Sequence, residues 1–495
     1  MRLAFPERIP LGKAITCAAV LAVIQLFQHT SLSFTLLFFA FVVLSVMSFN
    51  YTGGFSRASG VYIFWFALLA VIFGVFVKAI FREPADSNLH EPLTTMMVYV
   101  ASISMMWVAA AASRKVTWNS PGLAQVLGGY RINLGYSAAG CVTLGFLLIV
   151  INQFVPQTGG SFLAGLNQIN YFLPLGIILG TIDALQTSQG RRSTNFLVLT
   201  AITFAFAWGL VEFSKQGMFT PFIAWLLAGF YMRMRLRPVH YVFMVAFSVL
   251  AFTVLSPISV GRDDVYPGMT LGAKFTLAEN LILNVGQVRQ DNYDDLIKAQ
   301  EISGETGYYN QPEGLIDRLS MVPNDAALIA FTSRGHVLGY APVEGSFLNW
   351  IPHFIMPDKN IALVGGGNYY DHEMGFLPEN DTTTGISFSP ASEAFHLGGW
   401  QGIFILMPLI LTMFFIVFDG LLGDMRRNPW GILVILLLGH VAPEAGIIGP
   451  IYETMFGTIA VTGAILFCVY VAPILGAAVS PQRQIASDQP WSEMG

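Results

Sequence analysis

Long apolar runs alternate with short polar connections along most of the 495-residue chain. A helix that crosses a bilayer needs about 20 mostly apolar residues, because the hydrocarbon core is about 30 Å thick and each helical residue rises about 1.5 Å. Twelve runs approach this length. They lie near Ala14–Gln28, Ser31–Phe49, Gly60–Ile80, Thr94–Ser113, Gly135–Val155, Tyr171–Leu185, Phe196–Glu212, Thr220–Met232, Val239–Pro257, Gly399–Phe418, Trp430–Gly446 and Phe456–Ala477. The pattern predicts an all-α polytopic membrane protein with about twelve transmembrane helices.

One long polar stretch interrupts this alternation between the ninth and tenth runs. Its first part, 271–302, has helical periodicity, with apolar residues at Leu277, Leu281, Val285 and Val288. A second helix is predicted at 313–319, and the Gly, Pro and Asn residues beyond Val322 predict loops and turns. The chain thus divides into spans one to nine (1–257), a large extracytoplasmic loop with helices (258–397), spans ten to twelve (398–478) and a tail (479–495).

Basic residues give the predicted orientation, since Lys and Arg accumulate in short cytoplasmic connections. With the N-terminus inside, the inner segments hold about 15 Lys and Arg residues and the short outer connections about three. This asymmetry predicts a multi-pass membrane protein with both termini in the cytoplasm.

The composition agrees with a membrane protein and excludes several other classes. Hydrophobic residues make up 54% of the chain and charged residues 11%, against about 25% charged in soluble domains. The three cysteines lie inside apolar runs, where a thiol behaves as a small hydrophobe. The chain has no phosphate-binding P-loop, no His-Glu-x-x-His motif and no Gly-x-Ser-x-Gly motif. ATP-driven transport is therefore unsupported, and no nucleic-acid partner is predicted.

The loop contains cations that could bind a phosphate-bearing substrate at the membrane surface. They are Arg318, Arg334 and Lys359, and Lys215 lies in a short outer turn between two spans. Guanidinium groups bind phosphate oxygens in a bidentate manner, whereas lysine acts as a point charge. Each cation alone could equally be a solvated loop residue, and Lys215 could simply anchor a helix end.

A carboxylate and an imidazole precede the tenth span. Glu393 and His396 are three residues apart and would share one face of a helix, where they could take a proton from a sugar hydroxyl. A structural hydrogen-bonded pair is an equally good interpretation. Asp371, His372 and Glu373 are adjacent, and adjacent residues do not converge on one ion without further ligands. No metal and no cofactor is predicted.

Several short motifs, in this order, carry a family resemblance. They are Ser-Lys-Gln-Gly at Lys215, Asp-Arg-Leu-Ser at Arg318, Gly-Ser-Phe at Gly345, Ile-Pro-His at His353 with Met-Pro-Asp-Lys to Lys359, and Ser-Pro-Ala-Ser-Glu-Ala-Phe-His-Leu-Gly-Gly-Trp-Gln-Gly from Ser389 to Gly402. The set resembles the polymerases that join lipid-linked oligosaccharide repeat units into O-antigen or exopolysaccharide chains, which are related to the O-antigen ligases. Lys215 and His353 stand where that family commonly has Arg, and His396 where it has Tyr.

The resemblance implies a membrane glycosyltransferase of the bacterial cytoplasmic (inner) membrane, with a polyprenyl-diphosphate-linked oligosaccharide as substrate. It implies that Arg318, Arg334 and Lys359, assisted by Lys215, hold the diphosphate, and that Glu393, with His396 and His353 behind it, is the base. Membrane lipid is an expected partner, and a chain-length regulator or export complex is left open.

Three other functions stay open at this point. A ligase would use the same donor but pass the glycan to a lipid or protein acceptor. A transporter or flippase of lipid-linked sugars is disfavoured, because transporters place charges near the bilayer midplane and here the polar residues concentrate in one outer loop. A non-enzymatic assembly factor is the third.

Overall fold

The computed structural model describes residues 4–118, 120, 122–123, 132–154, 170–262, 265, 269–303, 307–310, 316, 319–351, 355–356, 366–375 and 386–479. The described secondary structure is helical, with an isolated β-bridge between Phe388 and Ala445. The first half contains α1 Leu11–Phe27, α2 Leu32–Thr52, α3 Ala58–Phe81, α4 Pro92–Thr117, α5 Leu134–Phe154, α6 Phe172–Thr187, α7 Phe196–Val211, α8 Lys215–Tyr231 and α9 Pro238–Ile258. The second half contains α10 Leu271–Leu283, α11 Val285–Ser303, α12 Val322–Ser333, α13 Ala341–Leu348, α14 Gly366–Met374, α15 Pro390–Gln401, α16 Met407–Leu422, α17 Pro429–Glu444 and α18 Ile448–Val479.

Seven of the described helical segments are long and apolar enough to cross a membrane. They are α2, α3, α4, α5, α9, the segment Pro390–Arg427 that contains α15 and α16, and α18. Four further apolar helices, α1, α6, α7 and α17, have 10–17 residues. The chain is therefore an all-helical protein with the character of a polytopic membrane protein. Each of the twelve predicted apolar runs overlaps one of these helices or α8, although a count of twelve crossings stays a prediction.

Small residues allow the helices to approach closely. Gly140 of α5 packs against the Ala472 carbonyl oxygen of α18, and Gly476 packs against the Tyr136 carbonyl oxygen, so a methyl group at either glycine would collide with backbone. Helix pairs in membranes gain most of their stability from such close packing, because lipid tails are as apolar as the helices themselves. The close backbone contacts at these two glycines therefore determine how α5 and α18 pack together.

Two groups of polar contacts define the two ends of the bundle. At the arginine end, defined by Arg57, Arg114 and Arg426, the buried Asp419 carboxylate accepts hydrogen bonds from the Ser59 amide (3.0 Å) and hydroxyl (2.9 Å). The Ser113 hydroxyl donates to the same carboxylate at 2.8 Å, and Arg57 Nε lies 3.5 Å from it. One aspartate therefore joins α3, α4 and α16.

The loop end is defined by the α3–α4 connection, 82–91, and the loop residues that lie on it. Lys78 is buried there, and its ammonium group donates to Glu83 at 2.8 Å and lies 4.8 Å from the centre of the Tyr308 ring. Glu83 also accepts from the Asn310 amide at 3.1 Å, and the Tyr308 hydroxyl donates to the Ala85 carbonyl at 3.0 Å. These contacts anchor loop residues 307–310 to the end of α3.

The loop region contains more helix than the sequence analysis predicted. The helix predicted at 271–302 is present as α10 and α11, which meet at Asn284. The prediction of loops beyond Val322 is wrong for α12, α13 and α14. α12 begins with Val322 and has Pro323 in its first turn, where the missing amide hydrogen is not needed, and its acidic Asp325 suits the positive end of the helix dipole. The helix predicted at 313–319 lies largely outside the described residues.

Candidate active site at the loop end

α15 begins at a well-formed helix cap and carries two of the three predicted catalytic residues, Glu393 and His396. The Ser389 side chain accepts a hydrogen bond from the Ala391 amide at 3.2 Å, and Pro390 occupies the first helical position. Glu393 and His396 follow within two turns, and both contact Tyr370 of α14. The helix that the sequence predicted ahead of the tenth span is therefore present, and both side chains point toward the same loop helix.

Asp325 of α12 holds this cap in place. Its carboxylate is fully buried and accepts three hydrogen bonds, from the Tyr99 hydroxyl (2.6 Å), the Ser389 amide (2.9 Å) and the Ser392 hydroxyl (2.6 Å). Burial raises the pKa of Asp325, although the three donors partly offset that effect. This residue ties the loop to α4 and α15 without any cation.

Glu393 is a buried helix cap. Its Oε1 accepts from the Tyr370 hydroxyl at 2.7 Å, and its Oε2 accepts from the Ile448 amide at 3.1 Å and from the Ile447 amide. These amides begin α18, so the carboxylate lies at the positive end of that helix dipole. Because Glu393 is only 2% exposed and both oxygens have donors, its geometry favours a positioning role. The role of base stays a prediction for this residue.

His396 is buried between a hydroxyl and a carboxylate. Its Nδ1 lies 2.9 Å from Thr332 Oγ1, and its Nε2 lies 3.3 Å from Glu373 Oε2. The single proton of the Thr332 hydroxyl can go to the Leu328 carbonyl, 2.7 Å away, or to His396 Nδ1. In the first case Nδ1 carries the ring proton and donates it to Thr332; in the second case Nε2 carries the ring proton and donates it to Glu373.

Glu373 is the solvent-facing member of this pair. Its side chain is 35% exposed, whereas that of His396 is 1% exposed. A substrate that approaches from the loop side can therefore touch the Glu373 carboxylate but not the imidazole behind it. We refer to these two residues as the Glu373–His396 pair. Asp371, two residues earlier, is instead buried; its Oδ2 accepts from the Ile386 amide at 2.7 Å, and burial raises its pKa to about 6.

Arg334 lies close in the chain to Thr332, the hydroxyl partner of His396. It follows the last residue of α12, two positions after Thr332, and is exposed. The segment after it returns to α15, because the Leu338 amide donates to the His396 carbonyl at 3.1 Å and the His336 ring stacks on Phe331 at 4.2 Å. No carboxylate in the described part of the chain forms an ion pair with Arg334. Its guanidinium is thus exposed and has no described carboxylate partner, at the end of the helix that carries Thr332.

A break in the helix marks where the site meets the apolar segment. Gly398 and Gly399 interrupt α15, and Gly399 has φ +56° and ψ −139°, a conformation that is essentially restricted to glycine. The Tyr340 ring packs directly on Gly398, where a side chain would collide with it. The break separates the first half of α15, which is buried by the loop, from the exposed Trp400 and Phe404.

The other predicted cations are not brought into this cluster by any described contact. Lys215 is the first residue of α8, where the Ser214 hydroxyl caps the helix by accepting from the Gly217 amide at 3.1 Å, and α8 packs mainly on α6, α7 and α17. Arg318, His353 and Lys359 lie outside the described residues. The structure thus places Arg334, Glu393 and His396 in one region, and Lys215 in another.

Sequence reasoning missed three residues that complete the cluster. Glu373 was considered only as a metal ligand, and Asp325 and Thr332 were not singled out. Among the residues that the structure describes, no group of three or more His, Cys, Asp or Glu side chains could hold a metal ion. Only the acidic first turn of α12 gave a local signal, for Asp325.

Comparisons with known proteins add no assignment. No family model matches the chain, and no curated protein and no solved structure is similar to it.

Proposed function

We propose that this protein is a membrane glycosyltransferase that joins polyprenyl-diphosphate-linked oligosaccharide repeat units into a surface or exopolysaccharide chain. The observation that carries the proposal is the exposed Glu373 carboxylate on the buried His396, with the exposed Arg334 two residues after Thr332, the other partner of His396. A cation for a diphosphate, a reachable carboxylate and a lipid-facing bundle are what such a transfer requires. The ordered motifs of the sequence, which include Arg318, His353 and Lys359, support the same function.

Arg334 binds the donor diphosphate in this proposal. A guanidinium offers several N–H donors in one plane and matches phosphate oxygens in a bidentate manner. When the glycosidic C–O bond to the diphosphate breaks, the leaving oxygen gains negative charge, and a preorganised cation stabilises that charge. The resemblance adds Arg318 and Lys359 to this binding set.

Glu373 takes the proton of the acceptor hydroxyl. The hydroxyl oxygen of the second lipid-linked unit attacks the anomeric carbon, its proton passes to the Glu373 carboxylate, and lipid diphosphate leaves. His396 positions Glu373 by donating its Nε2 proton to the carboxylate, an arrangement in which the Thr332 hydroxyl donates to Nδ1. General base catalysis of this kind contributes about 10²–10⁴-fold.

The membrane arrangement of the proposal follows the apolar runs. Twelve crossings with both termini in the cytoplasm place 258–397 on the outer face of the cytoplasmic membrane, where the lipid-linked donor is available. Membrane lipid and the donor's own polyprenyl chain are the partners of the apolar surface.

The decisive experiment uses the purified full-length protein in nanodiscs with a lipid-diphosphate-linked repeat unit. We expect a ladder of products spaced by one repeat unit, and we expect Arg334→Ala to abolish it while the protein keeps its thermal stability. Arg289→Ala is the matched control, because Arg289 is also an exposed arginine of the loop region. A normal ladder from Arg334→Ala would overturn the assignment of this residue.

Three conservative variants separate the carboxylate roles. Glu373→Gln should lower turnover about 100-fold or more, since it removes the base. His396→Gln should lower turnover less and shift its pH profile. Glu393→Gln should keep most of its activity, because an amide oxygen can still accept from the α18 amides. Retained activity in Glu373→Gln together with loss in a stably folded Glu393→Gln would return the base to Glu393.

The same assay tests the other functions. Transfer only after a lipid or protein acceptor is added would make the protein a ligase. Flux of a labelled lipid-linked sugar into sealed vesicles without chain growth would make it a transporter, and normal polymer from a variant without the loop cations would make it an assembly factor.

A further inference from the structure

α10 is the first helix after α9, and its residues fall on three faces. The side that faces the bundle contains Leu277, Ala278 and Leu281, which pack with Phe213 and Ile258. Thr276 and Asn280, four residues apart, form a polar exposed face. Neither face accounts for the remaining apolar residues.

The third face is apolar and uncovered. Phe275 is 55% exposed and Ile282 42%. These two residues are seven apart, about two helical turns, so they lie on one side of the helix, whereas Leu283 follows Thr276 by seven residues and lies on the polar face. Two large exposed apolar residues next to the bundle-facing side indicate a surface that contacts something other than water.

Two contacts fix the level of α10 along the bundle. Lys274 Nζ lies 3.0 Å from Glu212 Oε2, and Glu212 directly follows the last residue of α7. Leu281 contacts Gly261 and packs with Ile258, the last residue of α9. Lys274 and Leu281 are about 10 Å apart along the helix at about 1.5 Å per residue. Both residues contact the ends of apolar helices, Lys274 that of α7 and Leu281 that of α9. The axis of α10 therefore runs across the end of the bundle.

The uncovered face of α10 adjoins the exposed apolar surface of α9, which lipid covers in a membrane protein. α9 has no buried residue between Pro238 and Leu250, and its exposed apolar residues extend to Phe252. α10 contacts the end of that helix. An amphipathic helix at this level places its apolar face among the headgroups and upper acyl chains.

We propose that α10 is an interfacial helix whose Phe275 and Ile282 side chains insert into the leaflet at this end of the bundle, which is the outer leaflet in the membrane arrangement proposed above. The helix then holds the start of the large loop at the membrane surface. This surface is separate from the Glu373–His396 pair and does not depend on the proposed reaction.

Site-directed spin labelling tests the proposal in the full-length protein. Cys17, Cys141 and Cys468 are first replaced by alanine, and single cysteines are introduced as Phe275→Cys, Ile282→Cys, Thr276→Cys and Asn280→Cys. Each protein is labelled with a nitroxide in phosphatidylcholine nanodiscs, and its accessibility to oxygen, which concentrates in lipid, is compared with that to a water-soluble nickel complex.

We expect oxygen to relax the labels at 275 and 282 more strongly than nickel does, and the reverse at the matched positions 276 and 280. Nickel accessibility at 275 and 282 equal to that at 276 and 280 would overturn the proposal. Protection from both reagents would also overturn it, since a protein partner would then cover the face. If Phe275→Cys does not fold, the label at 282 carries the test, with the label at 280 as its water-facing control.

Discussion

The two ends of the bundle each contain a fully buried aspartate that joins several helices, but the partners differ in charge. At the arginine end Asp419 meets the Arg57 guanidinium and two serines. At the loop end Asp325 meets only neutral donors, the Tyr99 and Ser392 hydroxyls and a backbone amide. Arg334 stands nearby and pairs with no described carboxylate.

In the proposed function, the difference separates an end that stabilises the bundle from an end that binds the substrate. A cation that is held by a buried carboxylate is fixed and neutralised, whereas a cation that is kept away from carboxylates can bind an anionic ligand. Neutral donors stabilise Asp325 and Glu393 without using the arginine. The arrangement of the loop end therefore suits a diphosphate, and that of the arginine end suits stability.

The largest expected effect comes from neutralising the two aspartates. Asp419→Asn leaves Arg57 without its carboxylate in a nearly buried site, and we expect a loss of about 3–5 kcal/mol in the free energy of unfolding. Asp325→Asn should lose only about 1 kcal/mol, since an amide can accept from Ser389 and Ser392 and donate to the Tyr99 oxygen. Unfolding midpoints in detergent measure both. Equal losses would remove the distinction between the ends.

A smaller effect concerns pH at the loop end. The native pKa of Asp371 is about 6, above the ordinary value of 3.8, because the side chain is buried. The native state therefore binds more protons than the unfolded state between these values, and stability falls as pH rises from about 4 through 6. His372, which lowers the pKa, faces the same group.

Asp371→Asn should flatten this dependence. The total change is on the order of 2–3 kcal/mol at most, from about two pKa units. Melting temperatures of both proteins between about pH 4 and pH 7 test the expectation. Parallel curves for wild type and variant would show that Asp371 does not titrate in this range.

The smallest effect concerns the helix break at the loop end. Gly399→Ala forces a side chain into a conformation that costs about 1–3 kcal/mol. Gly463→Ala in α18 is the matched control, because a methyl group there meets no neighbour within 4 Å. We expect a lower melting temperature and lower turnover for Gly399→Ala, and wild-type values for Gly463→Ala. Identical behaviour of the two variants would mean that the break is not needed.

Most of the helical framework could be predicted from the sequence. Membrane-length apolar runs repeat the same signal over many residues, so single exceptions do not hide it. α12 was missed because its apolar stretch is short and lies among Gly and Pro residues. Its stability depends on the contacts of Asp325 with Tyr99 and Ser389, which are distant in sequence.

The candidate site could be predicted only in part. Arg334 and His396 stood out because cations and imidazoles are rare in so apolar a chain. Glu373 did not stand out, because its partner His396 is 23 residues away and the contact produces no periodic pattern in the sequence. Glu393 was selected for its chemistry, but burial, which decides whether a substrate can reach a carboxylate, depends on α14 and α18 folding over it.

The Tyr308–Asn310 anchor on Lys78 and Glu83 also changes the polymer statistics of the large loop. A tie in the middle of a long chain segment replaces one large closed ring with two smaller rings. The free-energy cost of closing a ring rises by only about 0.6 kcal/mol for each doubling of its length. Either ring can therefore lengthen with little loss of stability. Residues inserted into the α10–α11 ring would then leave the register of α12 and Arg334 unchanged. The anchor thus makes the two halves of the loop independent in length.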